Sequence, residues 1–381
     1  MVSIINPPLG SMGNLIQCSE DREIDTNLSM GNLIRQVHRN ILPLAIAALG
    51  AVACTQQKPS ESSMSQPVMT DARPWCIGRF AIDLPHATDV YVQDYKYMGY
   101  TIEPVPNVSE SEFVSRVSKR EQELRTLMRE DPHKAFAQTK TPWLHQTVEP
   151  SAASRLFVYG RYDDKPEDLV YDVEGYAESN GTLFALKNRF GATYDQSAIS
   201  NVSEILRNIK PRSDWDVPSD GAFCFRGGAI GGKPMPGFDA SIAARLLQGR
   251  PSNLVVTMRE SVEGDRKNSP LDSLSKNDAT LRQYAGNMDV LRKGTREVAG
   301  MKAAEVAVHI QGDGIQAYHF YLYSPGVPGD PSKPNLNVQL LFGAAPDDGT
   351  PASEATSPVN QAEAMQAWDS VLASFHYRGP K

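Results

Sequence analysis

Trp75-Cys-Ile-Gly-Arg-Phe-Ala-Ile-Asp-Leu-Pro85 and Phe223-Cys-Phe-Arg-Gly-Gly-Ala-Ile-Gly-Gly-Lys-Pro234 are the two stretches that organise this chain. Each places a cysteine directly after an aromatic residue, then glycine, then a short apolar segment, then proline. In the first, Cys76, Phe80, Ile82 and Leu84 stand against Ile77, Arg79, Ala81 and Asp83, an imperfect alternation that suits a strand ending at Pro85. Each opening is also followed, well over a hundred residues later, by an amphipathic helix. Ile199, Val202, Ile205, Leu206 and Ile209 form one helical stripe, halted by Pro211, and Met365, Trp368, Val371, Leu372 and Phe375 repeat its spacing ahead of Gly379-Pro380. Two halves with a shared beginning and end predict two lobes of similar topology.

Between these marks the first half carries a helix pattern over Ser109 to Met128, with Phe113, Val117, Leu124 and Leu127 on one side. Strand patterns follow at Arg155–Tyr159, Leu169–Ala177 and Thr182–Phe190, the last two separated by the turn Ser179-Asn-Gly181. The second half reads as a helix at Phe238–Leu247, then strands at Leu254–Val262, Glu297–Ile310 (turning near Gly300), Gln316–Tyr323 and Leu336–Phe342. Runs of strands with helices at their edges predict an α+β fold: two lobes, each a mostly antiparallel sheet packed with helices, joined near residues 214–221. The lobes are expected over 73–213 and 214–381.

Ahead of the folded part, Arg35, His38 and Arg39 precede the apolar run Ile41–Ala53, which ends at Cys54. A basic stretch and about a dozen apolar residues read as a signal peptide, too short to span a bilayer. Ala51 and Ala53 before Cys54 resemble the lipobox of bacterial lipoproteins, which implies cleavage before Cys54 and lipid attachment there. Residues 54–72, polar and rich in Ser, Gln and Pro, read as a flexible tether. The hexapeptide Ser-Met-Gly-Asn-Leu-Ile occurs at Ser11–Ile16 and again at Ser29–Ile34, so residues 1–29 read as a mis-called or duplicated extension and 30–53 as the signal. By the lipoprotein resemblance, Thr55 after the anchor implies sorting to the outer membrane.

Composition narrows the function. A length of 381 residues exceeds what one core usually organises. The net charge of −7 argues against a nucleic-acid partner. There is no G-x-S-x-G elbow, H-E-x-x-H motif, C-x-x-C pair or phosphate loop, and no cofactor is expected. His309 and His319 lie on neighbouring strand candidates and, with Asp313, would form an acid–base or metal site only if they faced each other. Cys76 and Cys224 occupy equivalent places in the two halves. In an oxidising compartment they either form a bridge between the lobes or remain two small buried residues.

The two cysteine-bearing openings and the closing helix resemble the immunity proteins of type VI secretion lipase effectors, the two-domain group paired with effector family four. The resemblance covers Arg73 to Tyr377. It implies a periplasmic, lipid-anchored, non-enzymatic protein whose two lobes grip a secreted phospholipase and occlude or lock its active site. The alternative is a lipid-anchored envelope binding or scaffold protein without a toxin partner. Long polar loops supply the candidate effector contacts: Arg161, Asp163, Asp164 and Lys165; Glu263, Asp265 and Arg266; Asp347 and Asp348. Peptide mapping of the protein from its envelope should begin at a lipid-modified Cys54, and any peptide upstream of Met30 would refute the extension reading.

Overall fold

The computed structural model describes residues 67–130, 140–162, 169–192, 196–267, 287–312, 314–344 and 351–379. The signal, Cys54 and most of the tether lie outside them. In chain order the first half contains β1 (Ala72–Ile77), β2 (Phe80–Pro85), β3 (Asp89–Tyr97), β4 (Thr101–Pro106), α1 (Glu110–Thr126), β5 (Met128–Arg129) and β6 (Thr141–Pro142). It continues with β7 (Leu144–Val148), β8 (Ser154–Tyr162), β9 (Leu169–Ser179), β10 (Thr182–Gly191), α2 (Gln196–Asn208) and β11 (Ile209–Pro211). The second half contains β12 (Phe223–Phe225), β13 (Gly228–Ile230), β14 (Phe238–Arg245), β15 (Ser252–Arg259), β16 (Met288–Val298), β17 (Met301–Gly312) and β18 (Ile315–Ser324). It ends with β19 (Asn335–Phe342), α3 (Ala352–Ala355), α4 (Gln361–Ser374) and β20 (His376–Tyr377).

The fold is mostly antiparallel sheet with few helices. Of the five sheets among the described residues, the two largest have the orders β4-β10-β9-β8-β7 and β16-β17-β18-β19-β15-β14-β3. Reading β4 as β15, β10 as β19, β9 as β18, β8 as β17 and β7 as β16, the first order recurs within the second, as the repeated openings and closings predict. Hydrophobic alternation sets the faces. On β8, Leu156 and Val158 join the core that holds Ile199, Val202 and Ile205 of α2, whereas Phe157 and Tyr159 pack with Phe113, Val117 and Leu124 of α1. The five-stranded sheet is thus flanked by a helix on each face.

Local signals explain the element ends. Ser109 caps α1 by accepting from the Glu112 amide. Asn360 and Glu363 form a reciprocal capping box at α4. Asn180 and Gly181 both have positive φ, 48° and 76°, as a two-residue hairpin turn between β9 and β10 requires. Phe238–Leu247 is a correction: it forms strand β14 and not a helix. Its alanines favour a helix locally, but β14 is paired on both sides, with β3 and β15, and Phe238, Ala240, Ile242 and Ala244 are buried at strand spacing.

The two halves are interleaved. β3, from the first half, is the edge strand of the second half's sheet, paired to β14. After α2, β11 pairs with β13 of the second opening; after α4, β20 pairs with β2 of the first opening. Each closing helix therefore leads into a strand that completes the other half's opening hairpin. The openings themselves meet at a backbone pair between Gly78 and Cys224, with hydrogen bonds of 3.1 and 2.8 Å. Cys76 and Cys224 are joined there by a disulfide with a Cα separation of 5.9 Å. One continuous core runs through this junction, from Leu156 and Phe184 in the first half to Phe320 and Trp368 in the second.

The joining segment is pinned by three arginines. Arg79 donates to the Gly221 and Gly232 carbonyls, and Arg212 to those of Ser213, Asp214, Asp216 and Gly228. Arg378 donates to Pro218 at 2.6 Å and Ala222 at 2.9 Å, with its guanidinium against both cysteine sulfurs. Burial, together with the nearby charges of Arg212 and Arg79, lowers the Arg378 pKa to about 10. Gly221 has φ of +69°, and a Cβ there would sit 2.4 Å from the Arg378 carbonyl oxygen.

A second knot holds α4. Arg292 and Arg296 each contact Glu305 and Asp369, and the Trp368 indole donates to Glu305. Among the described residues no helix is long and apolar enough to cross a membrane. The disulfide closes a loop of 148 residues, so Cys76→Ala with Cys224→Ala should cost about 2–5 kcal/mol in urea unfolding. Reduction should lower the native protein by a similar amount and leave the double variant unchanged.

Candidate partner-binding surface

A broad, open concavity lies on the α1 face of the five-stranded sheet. It has a volume of about 530 Å³ and is lined by Arg120, Trp143, Tyr159, Arg161, Asp172, Lys187, Asn188 and Arg189. Strand register builds it. Asp172 and Glu174 are two apart on β9, and Lys187 and Arg189 two apart on β10, so each pair shares a face. The antiparallel pairing sets Lys187 opposite Glu174 and Arg189 opposite Asp172. On the other side of β9, Tyr159 stands opposite Asp172.

The acids form the floor and the bases the walls. Glu174 and Asp172 are buried, whereas Lys187 and Arg189 are 63% and 47% exposed. Arg120 reaches down from α1 with a forked pair of 2.8 Å bonds to Glu174. Tyr159 donates to Glu174 at 2.8 Å, Tyr176 at 3.0 Å and Lys187 approaches to 3.1 Å. Arg161 holds Asp172 at 2.7 Å. The Trp143 and Tyr159 rings lie parallel with centroids 6.2 Å apart, and Arg120 and Lys187 both sit over the Tyr159 ring.

The candidate residues read from sequence fall in different places. Arg161 lines this cleft. Asp163, Asp164, Lys165, Asp347 and Asp348 lie outside the described residues, as do Cys54 and Asp313. Glu263 and Arg266 belong to the short turn Glu263–Lys267, where Glu263 is exposed. Asp265, in the same turn, is buried and paired with Arg259, and accepts from the Val262 amide. It braces its loop. His309 and His319 do not form a site, because β17 and β18 pair His309 with Tyr318 and His319 with Val308, which sets the two rings on opposite faces. His309 instead stacks on Tyr318 at 4.7 Å. Among the described residues no group of three or more His, Cys, Asp or Glu is placed to hold a metal ion.

Sequence reasoning missed Arg120, Trp143, Tyr159, Lys187 and Arg189. The paired spacing of acids at Asp172 and Glu174 and bases at Lys187 and Arg189 was the available signal; their register across the hairpin follows from the Asn180-Gly181 turn.

Burial by itself raises the Glu174 carboxyl, but the bonds from Arg120, Tyr159 and Lys187 and the Arg120 charge outweigh it and hold the pKa at about 2. A depressed carboxylate stabilises the fold fully above its unfolded value of 4.5, and that contribution is lost as pH falls toward 2. Glu174→Gln should therefore lower stability at neutral pH by about 2–3 kcal/mol. Its unfolding free energy should also fall less steeply than the native protein's between pH 4.5 and 2.

Two family models match the chain: the N-terminal domain of Tle cognate immunity protein 4 over residues 73–212, and its C-terminal domain over 216–380. No curated protein matches it in sequence. Among solved structures, it resembles apo immunity protein TplEi of the type VI secretion system of Pseudomonas aeruginosa, at 20% identity and TM-score 0.66, covering 82% of this chain and 99% of that one. The Tle4–Tli4 complex contains a chain that matches at 21% identity and TM-score 0.66, again covering 82% and 99%. TplEi bound to an "L" peptide matches at 22% identity and TM-score 0.63, covering 82% and 100%. These likenesses establish a shared fold, and the two domain models, together spanning nearly all of the described residues, show that the chain belongs to the Tle cognate immunity protein 4 family.

Proposed function

We propose that this immunity protein, a non-enzymatic inhibitor, binds a cognate type VI lipase effector in the periplasm and occludes or locks its active site. The observation that carries the reading is the match of both immunity domains, in order, over residues 73–212 and 216–380. A solved complex pairs a protein of this fold with Tle4. The interleaved halves support the same reading: pinned together by a disulfide and three arginines, they present a preorganised surface, which reduces the ordering cost of association. The domain limits are 73–213 and 214–381, joined at 214–221. Lipid attachment at Cys54 and the tether over residues 54–72 would hold the inhibitor at the outer membrane, in the compartment where a bridge between Cys76 and Cys224 persists.

Purified residues 55–381 should bind the lipase encoded beside this gene and abolish its phospholipid hydrolysis at one-to-one stoichiometry. Absence of binding at micromolar concentration would overturn the reading in favour of an envelope scaffold protein.

A further inference from the structure

We propose that the cleft between α1 and the five-stranded sheet is a subsite for a carboxylate side chain on an acidic segment of the lipase partner. The inference rests on the immunity reading and names a contact within it. Four cations, Arg120, Arg161, Lys187 and Arg189, line a volume of about 530 Å³. Each is ion-paired: Arg120 and Lys187 with buried Glu174, Arg161 and Arg189 with buried Asp172, and Arg120 also with the half-exposed Glu123. Four cations against these three carboxylates leave a positive excess at the cleft, on a chain whose net charge is −7.

The floor is also preorganised. Glu174 accepts from Arg120, Tyr159 and Tyr176 and is ion-paired with Lys187, which fixes the arginine fork and both phenol rings. Lys187 spends one contact on Glu174, and its ammonium carries three N–H donors. The parallel Trp143 and Tyr159 rings give an apolar wall for the methylene stem of a glutamate or aspartate. Charge distribution separates this ligand from a membrane: a flat anionic bilayer calls for a broad basic face, and the chain's overall charge opposes it, whereas the four cations here are gathered in one cleft. Lys187 and Arg189 are the most exposed of the four cations and are the residues to change.

The test is titration calorimetry of the full mature protein against its cognate lipase at low and high salt. Lys187→Glu with Arg189→Glu should weaken binding at least about tenfold at low salt and flatten its salt dependence. Lys187→Gln with Arg189→Gln should show a smaller loss in the same direction, and decides the matter if the reversal variant fails to fold. Arg207→Glu with Lys210→Glu, the same charge change on exposed residues of α2 and β11, should bind like the native protein. Undiminished binding by the Lys187 and Arg189 variants, or an equal loss in the Arg207 and Lys210 variant, overturns the proposal while leaving the immunity reading intact. Binding to phosphatidylglycerol vesicles that the Lys187 and Arg189 variants lose, with lipase affinity unchanged, would reassign the cleft to lipid. A native protein that does not bind the lipase removes the immunity reading and this subsite together.

Discussion

The junction at Cys76 and Cys224 is the constraint on which the rest of the molecule depends. Its chemistry is unusual in one respect: three arginines converge there, and most of their hydrogen bonds go to main-chain carbonyls. A segment of irregular backbone such as 213–222 has no ladder to satisfy its oxygens, and leaving them unpaired in a buried place is expensive. Guanidinium groups can serve several carbonyls at once because each carries a rigid fork of donors. Arg79 comes from the first opening, Arg212 from the end of the first half and Arg378 from the end of the chain, so the same bonds that satisfy the joining segment bind the two halves to one another.

That arrangement changes what "two lobes" means physically. Domains joined by a free linker move relative to one another by default. Here β11 and β20 are exchanged between the openings, β3 is lent to the second sheet, and one core passes through the middle. Separating the halves would break strand pairing as well as hydrophobic contact. An inhibitor that must hold an enzyme benefits from such stiffness, since the ordering of its surface is completed on folding. The basic cleft follows the same logic at smaller scale: buried Glu174 is the anchor that orients Arg120 and two tyrosines before any partner arrives.

The paired orders β4-β10-β9-β8-β7 and β15-β19-β18-β17-β16 give the repeat a structural content that sequence alone barely carries. The elements between them have diverged. Between β4 and β7 lies α1, whose face completes the cleft, whereas the only helical turn described between β15 and β16 is the short one at Glu263–Lys267. The basic cleft therefore belongs to the first half.

Much of this was readable from local pattern. The stripes of α2 and α4, the cap at Ser109, the Asn180-Gly181 turn and most central strands are written in spacing and turn chemistry, because helix and strand periodicity follow from backbone geometry. The openings also carry the family resemblance. Tertiary structure decided the remainder. Whether Phe238–Arg245 became strand or helix depended on neighbours β3 and β15, whether His309 and His319 met depended on hairpin register, and Asp265 turned inward because Arg259 lies behind it. The exchange of β11 and β20, and the gathering of Arg120, Lys187 and Arg189 over Glu174, join residues far apart in the chain. Periodicity reports which face of an element is buried, but only packing selects what it is buried against.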